Sequence, residues 1–248
     1  MAVQAWQGDK AMVTSATEAI RLIGVHKVFG DVATPVTALS DVTLGVPSGS
    51  FTALVGPPGA GKSTLLRCAA GLDRPSRGRI YVDGELLSDG SEAALARFRR
   101  KRVGLLFQQS GLQPALTVLQ NVILPLRQAG RRVDRRRCQE ILGRVGLAGR
   151  LDALPDRLTD AQRQRVAIAQ ALATEPRVIF ADEPTAGLDP QGAREILDLL
   201  AESVQVYNQT LLLATEDAGI GAYTDSVHSL TAGRLSTPVP ADSTAGGG

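Results

Sequence analysis

Phe51-Thr52-Ala53-Leu54-Val55 runs directly into Gly56-Pro57-Pro58-Gly59-Ala60-Gly61-Lys62-Ser63, and this passage decides the fold. The first five residues are an apolar run of strand length, and Thr64–Ala70 after the loop reads as a helix. Between them the pattern G-x-x-x-x-G-K-[ST] is met in its strand–loop–helix setting. Glycines let the backbone curl so that several N–H groups converge on phosphate oxygens, and the positive end of the helix faces the same anion. In such a cradle Lys62 reaches the β- and γ-phosphates of a nucleotide and the Ser63 hydroxyl ligates Mg²⁺. Thr64, opening the helix, completes the binding set.

A second passage supplies the acids that a phosphate cradle needs. Val178-Ile179-Phe180-Ala181-Asp182-Glu183 reads as a buried strand ending in two carboxylates. Asp182, at the strand's C-terminal end, is placed to hold Mg²⁺ through its water shell. Glu183 points elsewhere and orients or deprotonates the attacking water, a role worth about 10²–10⁴ in rate.

Outward from these two passages, composition sets the class. The chain has 248 residues, 27 basic against 25 acidic for a net charge of +2, and 44% apolar residues. That is material for one large domain or two lobes around a shared core, and it excludes a disordered or collagen-like chain. Two cysteines, Cys68 and Cys138, imply no disulfide framework and fit a reducing compartment. No apolar run approaches the ~18 residues of a membrane span, and MAVQAWQGDKAMV carries charges where a signal peptide has its apolar region. A soluble intracellular α/β protein is the expectation.

Strand-length runs occur at Ile20–Val25, Phe51–Val55, Ile80–Val82, Val103–Phe107, Val178–Ala181, Leu211–Thr215 and Val227–Leu230. Four of them (FTALV, VGLLF, VIFA, LLLAT) are nearly continuous in hydrophobicity, as in a parallel sheet covered on both faces by helices. Helical periodicity joins Cys138, Ile141, Leu142 and Val145, and again Ile196, Leu199, Leu200 and Val204. Thr159-Asp160 caps the Ala-rich stretch Ala161–Ala173. The segment from about 112 to 172 holds helices without a strand and reads as an inserted helical lobe. Residues 1–18 read as a flexible arm, and Ser236–Gly248 as a disordered tail.

These residues together resemble the nucleotide-binding subunit of ATP-binding cassette (ABC) transporters, over about Ile20 to Leu235. Val103-Gly104-Leu105-Leu106-Phe107-Gln108, Asn121-Val122 and Ala181-Asp182-Glu183-Pro184-Thr185 look most like the lipoprotein-release and macrolide-export branch. The resemblance implies an α/β fold with a P-loop NTPase (RecA-like) core, an antiparallel β subdomain and an inserted α-helical subdomain. It implies ATP and Mg²⁺ as cofactors, and a dimer of two copies, or of this chain and a relative, closing around ATP. A separate transmembrane permease would be the partner, with the chain cytoplasmic and peripheral on the inner face of the plasma membrane. Gln108 matches the glutamine loop that approaches Mg²⁺ and the reactive water. Phe29 falls where the family stacks an aromatic ring under adenine, and Asp189 matches the loop that crosses to the other subunit.

Two positions depart from the family. Its signature, commonly Leu-Ser-Gly-Gly-Gln, reads Leu158-Thr159-Asp160-Ala161-Gln162. In the family this segment faces the γ-phosphate held by the opposite subunit; Thr159 keeps a hydroxyl, Asp160 brings a carboxylate, and Ala161 adds a methyl where backbone must come close. After LLLAT the family has a histidine that contacts the γ-phosphate, and here it is Glu216. Glu216 must turn away, be protonated, or weaken the hydrolytic state. The expectation is ATP binding in cis with hydrolysis at a reduced rate; the alternative is a catalytically weak regulatory module or the degenerate half of a heterodimer.

Other signals read as bland. Arg99-Arg100-Lys101-Arg102, Arg131-Arg132 and Arg135-Arg136-Arg137 have no interleaved aromatics and read as solvated helix faces, so no nucleic-acid partner is expected. His26 and His228 have no second ligand near in sequence. There is no Asn-Lys-x-Asp for guanine, and a helical lobe separates Lys62 from Asp182, unlike a compact nucleoside kinase.

Overall fold

The computed structural model describes residues 18–30, 34–107 and 111–239. At its centre is a six-stranded sheet built from β3 (Phe51–Val55), β6 (Val103–Leu106), β7 (Val178–Asp182), β8 (Thr210–Thr215), β9 (Ser226–Thr231) and β10 (Arg234–Val239). Its order is β10-β9-β3-β8-β7-β6, parallel throughout except for the β9–β10 pair.

Alternate residues of these strands feed two cores, which is why their sequences are apolar without a break. Phe51, Ala53, Ile179, Ala181, Leu211 and Leu213 face a core shared with the helices of the 112–172 segment. These are α3 (Val118–Gln128), α4 (Arg135–Arg144) and α5 (Asp160–Ala173), and α6 (Pro190–Tyr207) packs on the same side. Leu54, Val178, Phe180, Leu212 and Ala214 face the other core. There the cover is α1 (Lys62–Ala69) and α2 (Glu92–Arg102) together with a second sheet, ordered β2-β1-β4-β5 and antiparallel. So the second face is closed largely by β1 (Glu18–Phe29), β2 (Val36–Pro47), β4 (Arg77–Val82) and the short β5 (Glu85–Leu86), not by helices alone.

Two boundaries differ from the sequence reading. Glu18, taken as the end of the arm, begins β1, and Ser236, taken as the start of the tail, lies within β10. Ser236 pairs with Ser229 and Val239 with Val227, so the neighbouring strand recruits a segment whose own composition is turn-like. Residues 1–17 and 240–248 lie outside the described residues.

Most residues of the basic runs are exposed, as expected, but Arg99, Arg102 and Arg131 are half-buried against partners. Arg99 donates to the Gly71 carbonyl, Arg131 to the carbonyls of Thr174 and Lys101, and Arg102 pairs with Asp83 at 3.0 Å. Two of these guanidinium groups, those of Arg99 and Arg131, satisfy backbone acceptors at element ends, where orphan carbonyls otherwise accumulate.

Candidate functional site

Continuous burial fixes β3, and the chain turns sharply as it leaves the sheet. A Cβ on Gly56 would lie 2.2 Å from the Leu230 carbonyl oxygen, and one on Gly61 would lie 2.4 Å from that of Ala38. Gly61 also sits at φ +102°, a left-handed conformation that side chains disfavour. The loop is braced from behind. Gly233 N–H donates to the Ala60 carbonyl (2.9 Å), and Ser40 N–H donates to that of Gly233 (2.8 Å).

Gly61 is also the N-cap of α1, and it offers no side-chain acceptor; the first turn contains no acidic residue. The leading amide donors and the positive end of α1 are therefore left for an anion supplied from outside. Pro57, Pro58, Gly59 and Ser63 are exposed around this opening, Thr64 is half-buried and Ala60 is buried beneath it.

Lys62 is 6% exposed, and its ammonium donates to the carbonyls of Gly56 (2.7 Å) and Pro57 (3.2 Å). The carboxylates of Glu183 and Glu216 each approach its Nζ to 3.7 Å. The structure thus brings the loop lysine and the acid after β7 together, as the sequence reading requires. It also brings Glu216 in: the side chain does not turn away.

Asp182 ends β7 buried, and its Oδ1 accepts no hydrogen bond; Glu183 Oε1 is likewise buried and accepts none, although the Lys62 ammonium lies 3.7 Å from it. Buried carboxylate oxygens without partners are costly unless a ligand answers them. Asp182 and the Ser63 hydroxyl offer oxygen donors of the kind that suits Mg²⁺, which takes one or two protein ligands and otherwise water and phosphate.

Burial pushes the Glu183 carboxyl above its ordinary value; the Thr215 hydroxyl and the Lys62 ammonium oppose this, and the charges of Glu216 and Asp182 add to it. Glu183 also adopts φ +47°, while its N–H donates to the Ala214 carbonyl at 2.9 Å. No feature of the sequence signals that left-handed turn. Thr215 was readable only as the last residue of LLLAT, yet it faces Glu183 and accepts from the Asp217 N–H at 3.1 Å.

The remaining candidates lie apart. Phe29 ends β1 at 42% exposure, with the Lys27 ammonium 4.8 Å from its ring centroid. Gln108 lies outside the described residues. Asp189 caps α6, accepting from the Gly192 N–H at 2.8 Å.

Thr159 and Gln162 form a reciprocal capping box at the start of α5. Asp160 is exposed and pairs with Arg163, which also donates to the Leu158 carbonyl at 2.6 Å. Arg163 was not singled out in the sequence, although Asp160 and Arg163 stand at helix-neighbour spacing. Among the described residues, no hydrogen bond or ion pair joins Thr159–Gln162 to the 56–63 loop, Asp182 or Glu183.

A family model described as "ABC transporter" matches residues 39–186. The chain belongs to the ABC transporter family. The cassette is 42% identical over 228 residues to a lipoprotein-releasing system ATP-binding protein, LolD 1 of Caulobacter vibrioides, covering 90% of this chain and 97% of that one. It is also 42% identical over 219 residues to the methionine import ATP-binding protein MetN 1 of Yersinia pestis, covering 87% of this chain. It spans 64% of that relative's length. Among solved structures, the cassette superposes with a TM-score of 0.84 on the ATP-binding cassette MJ0796, solved as a post-hydrolysis dimer bound to ADP and phosphate. That match is 33% identical and covers 90% of this chain and 98% of that one.

Proposed function

We propose that the chain is the ATP-binding subunit of an ABC transporter, an Mg²⁺-dependent ATP hydrolase that dimerises around ATP and energises a separate transmembrane permease at the inner face of the plasma membrane. The observation that carries this is the uncapped, acid-free start of α1 wrapped by the 56–63 loop, with the Lys62–Glu183 ion pair at its mouth.

Gly56 to Thr64 bind the phosphates, with Lys62 supplying the charge. Ser63, Asp182 and Gln108 hold Mg²⁺, which when bound offsets phosphate charge. Phe29 stacks under the base. Glu183 takes the proton of the attacking water: burial raises its pKa, which makes its carboxylate a better proton acceptor than that of an ordinary glutamate. The relatives' names, lipoprotein-releasing and methionine import ATP-binding proteins, support a permease as the partner. The test is steady-state phosphate release by the purified chain. Glu183→Gln should lower it about 10²-fold or more while nucleotide still binds, and unchanged release would remove Glu183 from its role.

Turnover is proposed to be reduced by Asp160, Ala161 and Glu216. Asp160 favours a second reading, a catalytically weak module or the degenerate half of a heterodimer. A carboxylate at the start of α5 opposes the approach of a partner's phosphate, and Asp189 and the Thr159–Gln162 segment are what this chain presents to that partner. Phosphate release by the isolated chain, then with its permease, separates the two readings: stimulation by the permease supports the energising subunit.

A further inference from the structure

Residues 93–133 hold eight basic residues and no acidic one, in a chain whose net charge is only +2. The fold gathers this imbalance at one edge of the six-stranded sheet. Arg102 and Arg177 immediately precede β6 and β7, and the Arg177 N–H donates to the Arg102 carbonyl at 2.9 Å. The Arg131 guanidinium ties the turn after α3 to the same edge by donating to the carbonyls of Lys101, at 2.9 Å, and Thr174. Arg137, in the first turn of α4, pairs with Glu175 at 2.7 Å. The end of α2, the turn after α3 and the start of α4 therefore share one surface, where β6 and β7 begin. The 56–63 loop, Glu183 and Glu216 follow the ends of β3, β7 and β8, at the opposite edge, so these cations do not serve the cradle.

Arg97, Arg100, Lys101, Arg127, Arg132 and Arg135 are exposed on these elements. Among the described residues none of the six has an ion-pair partner, whereas Arg102, Arg136 and Arg137 are matched with Asp83, Glu140 and Glu175. Local electrostatics opposes part of this arrangement. Arg97 and Lys101 stand four apart on α2, a spacing at which like charges repel. Arg135 opens α4, where the positive helix end disfavours a cation and the first turn holds no acid. An anion from outside would offset both.

We infer that this surface is a docking face for anionic phospholipid headgroups, which holds the cassette against the membrane independently of its permease. The inference rests on the proposed place of the cassette at the inner face of the membrane. Anionic lipids there attract basic clusters, at about fivefold in affinity for each cation near the surface. Headgroup phosphates form a plane of charge, and a broad patch drawn from three elements suits a plane. A single-stranded nucleic acid fits less well: of the aromatic residues in 93–133, Phe98 is buried and Phe107 half-buried, which leaves no exposed ring for a base to stack on.

The test is sedimentation of the full chain with vesicles of phosphatidylcholine alone and of phosphatidylcholine and phosphatidylglycerol in equal parts. Partition should favour the mixed vesicles and weaken as salt rises. Arg100→Gln, Lys101→Gln, Arg132→Gln and Arg135→Gln together should lower it about 10²-fold or more. Arg100→Lys, Arg132→Lys and Arg135→Lys together, which keep the charge, should retain it. The same loss of charge elsewhere, by Arg77→Gln, Arg79→Gln, Arg150→Gln and Arg234→Gln, should cost less than about tenfold, because separated surface charges are screened. Equal partition to both vesicles, or equal loss in the two glutamine sets, would overturn the inference, as would tighter capture of RNA than of the mixed vesicles. Nucleotide titration of the same samples keeps the two readings apart. A chain that binds nucleotide but ignores anionic vesicles overturns this inference alone; one that binds anionic vesicles but no nucleotide overturns the cradle alone.

Discussion

Two helices of this molecule begin in opposite ways. α1 starts on Gly61, with no side-chain cap and no acid in its first turn; α5 starts on Thr159, with a complete capping box and Asp160 as its first residue. Each helix start carries partial positive charge and unpaired amide donors. At α1 that capacity is left for a ligand, whereas at α5 the chain spends it on its own side chains and adds a negative charge. The lesson is one of division: of these two helix starts, only that of α1 is left chemically open to an anion.

The comparison is broken most directly at α1. Lys62→Ala removes the only cation described in contact with the cradle acids. It should weaken nucleotide binding on the order of 10²-fold or more, as loss of a buried charge partner typically does. Equilibrium titration measures it, and a near-normal affinity would mean that the open end of α1 is not the phosphate site.

The comparison is sharpened at α5. The double substitution Asp160→Gly, Ala161→Gly removes the charge and the methyl that, under the proposed function, would face a partner's phosphate. Phosphate release should rise about threefold to tenfold, the scale of one charge at a helix end, while the nucleotide affinity of a single chain stays unchanged. Unchanged release would show that α5 does not limit turnover.

The smallest effect is on the pH axis. Because burial raises the Glu183 carboxyl above its ordinary value, the stability contributed by its neutral form is lost as pH rises through that raised value. Glu183→Gln should therefore melt above the unaltered chain at neutral pH and lose this advantage below the ordinary glutamate value of 4.5. For turnover the sign runs the other way. The base must be ionised, so the acid limb of the rate profile should lie above the ordinary glutamate range. A melting difference independent of pH would contradict the burial of this group.

How much of this could be read in the sequence follows from how local each feature is. β3, its loop and α1 were legible because the motif is contiguous, and β7 because burial on both faces leaves an unbroken apolar run. β2 was not named: only Leu39, Val42, Leu44 and Val46 face its core, and Asp41 at φ +56° interrupts the alternation. β10 holds Pro238 and small polar residues, and its strand state comes from pairing with β9. In the site, the residue types were legible and their encounters were not. Sequence left three fates open for Glu216; the ladder between β3 and β8, which sets Thr215 opposite Val55, brings it to Lys62. The left-handed backbone at Glu183 and the buried carboxylate oxygens that accept no hydrogen bond exist only once β7 lies beside β8.

The brace behind the loop has a consequence for how the protein comes into being. The contour of residues 56–63 is pressed into shape by the carbonyls of Ala38 and Leu230 and pinned through Gly233. Synthesis delivers a chain N-terminus first, so the nascent polypeptide carries the motif long before it carries the mould. Only when residues 230–233 have cleared the ribosome does the molecule acquire a grip.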